Sequence, residues 1–78
     1  MSPDRWLASW PDDAPALTPV QREILLLVVN WHTNARIAEH LGMTPGSVAV
    51  QVARIVERLG LGTRGEITPW ALARGLVS

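Results

Sequence analysis

All seven basic residues of this 78-residue sequence are arginines, and lysine is absent. A planar guanidinium can donate two parallel hydrogen bonds to a phosphate, so this composition suits contacts with a phosphate backbone. Four arginines lie in or beside the predicted central helices: Arg36, Arg54, Arg58 and Arg64. If all four bind phosphates, each contributes about 0.9 to the steepness with which the logarithm of the binding constant falls against the logarithm of salt concentration. The slope is then about −4 per protomer.

The formal net charge of zero conceals an uneven distribution. Residues 1–16 carry one arginine against three aspartates, a net charge of −2. Residues 17–78 carry six arginines against four glutamates, a net charge of +2. The larger segment is therefore mildly basic, which is compatible with a nucleic-acid partner.

Other kinds of chemistry find little support in the residues. His32 and His40 fall on different predicted elements without cysteine or a paired carboxylate, so we expect no metal site. Ser47 has no partner resembling a catalytic base, and no glycine-rich loop is present to cradle a phosphate. We therefore expect neither an enzyme nor a bound cofactor.

The composition also bears on the compartment. The absence of cysteine excludes a disulfide framework and is compatible with a reducing, cytoplasmic setting. The first 16 residues lack the pattern of a signal peptide, and the longest apolar run, 24–29, is far too short for a membrane span. We expect a cytoplasmic protein with no membrane contact.

The first predicted helix opens on a strong capping signal. Thr18, Pro19 and Gln21 form a Thr-x-x-Gln capping box with proline at the first helical position. The stripe expected to face inward consists of Val20, Ile24, Leu27, Val28 and Trp31. Because Leu26 and Val29 lie off this stripe, we expect more than one neighbour to cover the helix.

Two further helices follow, joined by a short turn. Thr33 caps the second helix and Gly42 follows its end, while Thr44 caps a third helix that runs to Leu59. Two helices joined by about three residues that include a glycine are typical of a helix–turn–helix motif.

The third helix has two different faces at helical spacing. The inward face comprises Val48, Val52, Ile55 and Leu59, and the outward face comprises Gly46, Val50, Ala53 and Glu57, flanked by Ser47, Ala49 and Arg54. An outward face this small and apolar can contact thymine methyl groups but cannot form the arginine–guanine pair. It also has the character of a protein-docking surface.

The two ends of the chain are less regular. Residues 1–16 hold three of the six prolines and predict a flexible leader, with a short helix around Trp6 and Trp10 as the alternative. A fourth helix is expected from about Glu66 to Arg74, with Pro69 in its first turn. One face of this helix carries Ile67, Trp70, Ala71 and Arg74, which predicts packing or pairing.

Three stretches together resemble a known family: "LTPVQREIL", "TNARIAEHLGMTPGSVAVQV" and "ERLGLGTRGEITPWALARGLV". They are similar, without gaps, to the LuxR-type (NarL/FixJ-type) helix–turn–helix domain of bacterial transcription regulators. The resemblance implies an all-α, four-helix domain over residues 17–78, whose third helix lies in the major groove. It also implies that the second helix crosses above the third, and that the fourth commonly forms a dimer contact.

The resemblance also assigns roles to residues. By position, Thr33 and Asn34 would approach phosphate at the start of the second helix. Base edges would be faced by Ser47, Ala49, Val50 and Ala53, and the phosphate backbone by Arg54, Arg58, Thr63 and Arg64. The sequence departs from the family where basic residues are usual, at Gly46, Ala49 and Glu57, and also at Gln51 and Trp31.

We therefore expect duplex DNA binding by a transcription regulator or its output domain, with a homodimer formed through the fourth helix. The alternative is an adaptor in which the third-helix face or the tryptophan-containing leader holds a protein partner.

Overall fold

A computed structural model of the chain describes residues 14–30 and 32–76. Within these ranges it contains α-helices α1 (Pro19–Val29), α2 (Asn34–Leu41), α3 (Pro45–Arg58) and α4 (Ile67–Ala73), a 3₁₀ helix at Arg64–Glu66, and no strand. The predicted all-α class with four helices is confirmed. The expectations for Trp6, Trp10 and Trp31 fall outside the described residues.

Threonine caps begin the first three helices, as predicted. The Thr18 hydroxyl accepts a hydrogen bond from the Gln21 backbone N–H at 3.1 Å, and the Gln21 side-chain oxygen accepts one from the Thr18 N–H at 3.0 Å. The Thr33 and Thr44 hydroxyls accept the N–H groups three residues later, at 3.2 and 3.1 Å. These bonds satisfy amides that have no partner inside the helix.

The turn between α2 and α3 depends on a left-handed glycine. Gly42 has a φ of 66°, a conformation that costs a residue with a side chain appreciable free energy. The following N–H, of Met43, donates to the Ala38 carbonyl at 2.9 Å and closes the end of α2. The helix–turn–helix geometry therefore follows from local sequence signals.

The core lies where α1 packs against the other three helices. Its fully buried side chains are Ile24, Leu25, Ile37, Val48, Ile55, Ile67 and Ala71. The prediction that several neighbours cover α1 is confirmed, but its inward stripe was partly wrong: Val20 is 46% exposed and Leu25 is fully buried. Coverage by both α3 and α4 widens the buried arc to Leu25, while Val20, in the first turn, lies beyond it.

The start of α4 also differs from the prediction. Glu66 belongs to the 3₁₀ helix, and its carboxylate accepts hydrogen bonds from the backbone N–H groups of Gly62 and Thr63. The α-helix begins one residue later, at Ile67, which places Pro69 third in the helix, where its missing N–H costs no helical bond. The end of α3 differs as well, since the helix stops at Arg58, one residue earlier than predicted.

Candidate nucleic-acid interface

The two faces of α3 lie as the sequence predicts. Val48, Val52 and Ile55 are buried, and Leu59, just past the helix, is partly buried. The opposite side is exposed along its length and consists of Gly46, Ser47, Ala49, Val50, Ala53, Arg54, Glu57 and Arg58. The helix thus presents a narrow surface of small side chains with arginines near its carboxyl end.

Gln51 does not belong to this exposed surface. Its side-chain oxygen accepts a hydrogen bond from the Gln21 amide at 3.2 Å, across the contact between α1 and α3. Gln21 also completes the capping box of α1, so one side chain joins the start of α1 to the middle of α3. This contact holds the α3 residue best suited to reading a base away from the outward face.

A second polar contact fixes the start of α2. The Arg64 guanidinium donates to the Asn34 side-chain oxygen and, through its other terminal nitrogen, to the His32 carbonyl at 2.9 Å. Both bonds are part-buried and span about 30 residues of sequence. Arg64 therefore ties the 3₁₀ helix to the first residue of α2.

The Arg64 contact changes how two predicted phosphate-binding residues are understood. Asn34 and Arg64 bind one another, whereas Thr33 and Arg36 at the same helix start are exposed. Sequence reasoning missed the contact because no local pattern links positions 34 and 64. In this geometry Arg64 holds the start of α2 in position, close to the exposed Arg36.

Replacing Arg64 with alanine is expected to lower the free energy of unfolding by about 1–3 kcal/mol, since two part-buried acceptors lose a charged donor. Arg64→Lys should restore little of this stability, because an ammonium cannot reproduce the planar fork. Urea unfolding followed by circular dichroism measures both variants. Arg36→Ala is the control, and equal stabilities for all three variants would contradict the positioning role.

Arg58 lies at the junction between α3 and the leader. Its Nε donates to the Ala16 carbonyl at 3.1 Å, just before Leu17 enters the core. Beside this bond runs an open groove of about 700 Å³ between the start of α1 and the last turns of α3, with Arg54 and Glu57 in its wall. Ala16, the last residue of the leader, therefore lies next to the arginine end of α3.

The predicted pairing face of α4 divides between the core and the surface. Ile67 and Ala71 are fully buried within the monomer and are unavailable to a partner in this fold. Trp70 is partly buried, with the Arg74 guanidinium 4.2 Å from its ring centroid. Leu72, which the sequence analysis did not single out, is 55% exposed.

Two further features concern binding and membrane contact. The rings of His32 and His40 lie near each other, with centroids 6.4 Å apart, although the two residues fall on different elements. In the described ranges no group of three or more histidine, aspartate or glutamate side chains is placed to hold a metal ion. No helix in those ranges has the length and apolar character needed to cross a bilayer.

Comparison with known proteins agrees with this architecture. Residues 15–59, which contain α1, α2 and α3, match the model of the family described as Sigma-70, region 4, and the chain belongs to this family. The transcriptional regulatory protein MctR of Rhizobium johnstonii is 37% identical over 62 residues, which cover 80% of this chain and 29% of that protein. No solved structure matches significantly.

The chain thus spans less than a third of the relative's length. The family match, the capped helices and the glycine turn together define a helix–turn–helix DNA-binding domain of transcription regulation. The matching model is that of Sigma-70 region 4, which leaves the resemblance to LuxR-type domains as a proposal.

Proposed function

We propose that this domain binds duplex DNA as a LuxR-type output module, with α3 lying in the major groove and α2 crossing above it. The observation that carries the proposal is the exposure of the whole outward side of α3 while its other side is buried in the core. A helix held in this way presents a rigid, narrow edge of the size that a major groove admits. Small residues at Gly46 and Ala49 allow close approach of the backbone to the bases.

Affinity in this proposal comes mainly from phosphate contacts. Arg36, Arg54 and Arg58 are exposed and contribute the charge, and Thr33 lies at the amino end of α2, where backbone amides favour an anion. Arg64 contributes by positioning, because its guanidinium is bound to Asn34 and His32. The number of direct phosphate contacts per protomer is then three.

Sequence preference is expected to be weak. Ala49, Val50 and Ala53 can contact thymine methyl groups, and Ser47 can donate or accept one hydrogen bond. The Ser47 hydroxyl already accepts from Thr44 at 2.9 Å, which leaves it one donor proton for a base edge or phosphate. Discrimination between DNA sequences therefore comes from DNA shape and methyl contacts more than from paired hydrogen bonds to bases.

A dimer through α4 is the further part of the proposal. The exposed Leu72 gives α4 an apolar side chain for a twofold contact, and Trp70 with Arg74 provides a neighbouring polar edge. Two copies related in this way would present two α3 helices to successive major grooves.

The dependence of DNA binding on salt tests the phosphate contacts. With three contacts per protomer, the logarithm of the binding constant should fall with a slope of about −3 against the logarithm of salt concentration, and of about −5 for a dimer on two half-sites. Arg54→Ala and Arg58→Ala should each reduce the magnitude of the slope by about one per protomer. Fluorescence anisotropy on random duplex DNA at several salt concentrations measures the slopes.

The matched control is Arg22→Ala, which removes an equal charge from α1, away from the outward side of α3, the start of α2 and the proposed α4 contact. It should leave the slope unchanged. Absence of salt-sensitive binding at low ionic strength would contradict the proposal and favour the alternative, an adaptor whose α3 face docks on a protein.

A further inference from the structure

The groove beside Arg58 has no occupant within the described part of the chain. It is bounded by the start of α1 and by Arg54, Glu57 and Arg58 of α3, and it encloses about 700 Å³. Within the described residues, the Arg54 guanidinium and the two terminal nitrogens of Arg58 bind no acceptor. Glu57 forms no ion pair with either arginine in the same residues, so their charge is available to another anion.

The sequence carries two carboxylates, Asp12 and Asp13, a few residues before this groove. The hydrogen bond from Arg58 to the Ala16 carbonyl fixes the leader at the edge of the groove. Asp13 is three residues before Ala16, and an extended chain of that length spans at most about 11 Å. Asp12 adds one residue, so the linking chain is long enough for either carboxylate to reach the arginines and short enough to keep both near the groove.

Charge complementarity favours the leader as the occupant. Residues 1–16 carry a net charge of −2, and the two adjacent aspartates lie at the end of the leader nearest to the groove. The groove wall contributes two arginines and one glutamate, a net charge of +1 from these residues. Each carboxylate can accept a paired donation from a guanidinium, which is the preferred geometry for this contact.

We infer that Asp12 and Asp13 dock on Arg54 and Arg58 and compete with DNA phosphates for the same guanidinium groups. This inference rests on the proposed function, since these arginines are its phosphate ligands. The leader then acts as an internal phosphate mimic, and DNA must displace it before α3 is fully seated. The leader lowers the affinity for DNA without abolishing binding, because individual exposed ion pairs are weak.

The test uses the full chain and single charge changes. Asp12→Asn combined with Asp13→Asn should strengthen binding to random duplex DNA roughly two- to tenfold, the range expected for one or two exposed ion pairs. Asp4→Asn is compared with Asp13→Asn because each removes one negative charge. Asp4 lies eight residues before Asp12 and is therefore farther along the chain from the groove. Docking predicts the larger gain for Asp13→Asn.

A measurement without DNA separates this inference from the proposed function. In the free protein, the side-chain Nε–H signals of Arg54 and Arg58 in NMR spectra should shift in the double variant and stay unchanged in Asp4→Asn. In an Arg58→Ala background, where Arg54 is the remaining partner, Asp13→Asn should increase DNA affinity less than it does in the parent.

Three results would overturn the inference: unchanged arginine signals, equal gains from Asp4→Asn and Asp13→Asn, or weaker DNA binding by the double variant. The last would show that the leader contacts DNA directly. If no variant binds DNA but the arginine signals shift as stated, docking stands and the proposed function fails.

Discussion

Ala53→Glu is expected to lower the affinity for duplex DNA by at least about 100-fold while leaving the fold intact. Ala53 is exposed at the centre of the outward side of α3, so the change adds a carboxylate at the surface that enters the groove. Placing like charges together in an interface costs several kcal/mol, and each 1.4 kcal/mol corresponds to tenfold in affinity. Fluorescence anisotropy at low salt measures the loss.

Ala53→Gln is the matched control, because glutamine has nearly the shape of glutamate without the charge. It should bind DNA within a few-fold of the parent, and both variants should show the parent's circular dichroism spectrum. Equal affinities for the parent and Ala53→Glu would place DNA on some other surface. Equal losses from both substitutions would instead assign the effect to size.

The second large effect concerns the core that holds α3. Ile55 is fully buried on the inward side of the helix, opposite the exposed surface. Truncating a buried isoleucine to alanine costs about 2–5 kcal/mol, and a domain of this length has a total stability of roughly 4–12 kcal/mol. Ile55→Ala is therefore expected to unfold a substantial fraction of the molecules near 37 °C, as thermal unfolding should show.

Val50→Ala is the companion variant, since it shortens an apolar side chain of the same helix that is 50% exposed. Its stability should stay within about 0.5 kcal/mol of the parent, because truncation at the surface opens no cavity. Equal destabilisation by Val50→Ala and Ile55→Ala would mean that the two faces of α3 are assigned incorrectly.

Most of the fold could be predicted from the sequence because its signals are local. Thr18, Thr33 and Thr44 form caps with amides three residues ahead, and Gly42 adopts the left-handed turn that its position predicts. The inward and outward faces of α3 follow from helical periodicity alone. These features require no knowledge of what each helix packs against.

The two differences from the predicted helices have different physical causes. Val20 is exposed and Leu25 buried because α1 is covered from two sides, which a single-stripe pattern does not represent. The start of α4 was misjudged because the Glu66 carboxylate caps the backbone of Gly62 and Thr63 in a 3₁₀ turn. The first depends on packing between helices, whereas the second is a local contact over three to four residues.

In the candidate site, too, local features could be predicted from the sequence and long-range contacts could not. Exposure of Ala49, Val50 and Ala53 follows from helical spacing, whereas the bonds from Arg64 to Asn34 and from Gln21 to Gln51 each join residues 30 apart. Such pairs leave no trace in a single sequence. In the proposed function, these contacts assign Arg64 to positioning of α2 and hold Gln51 away from the bases.

NMR titration of the full chain with duplex DNA most directly tests whether the outward side of α3 enters the groove. If it does, the largest amide shifts should occur at residues 46–54 and at residues 33–36, with small changes along α4. Shifts concentrated outside α3 and the start of α2, or no shift at millimolar DNA and low salt, would contradict this placement.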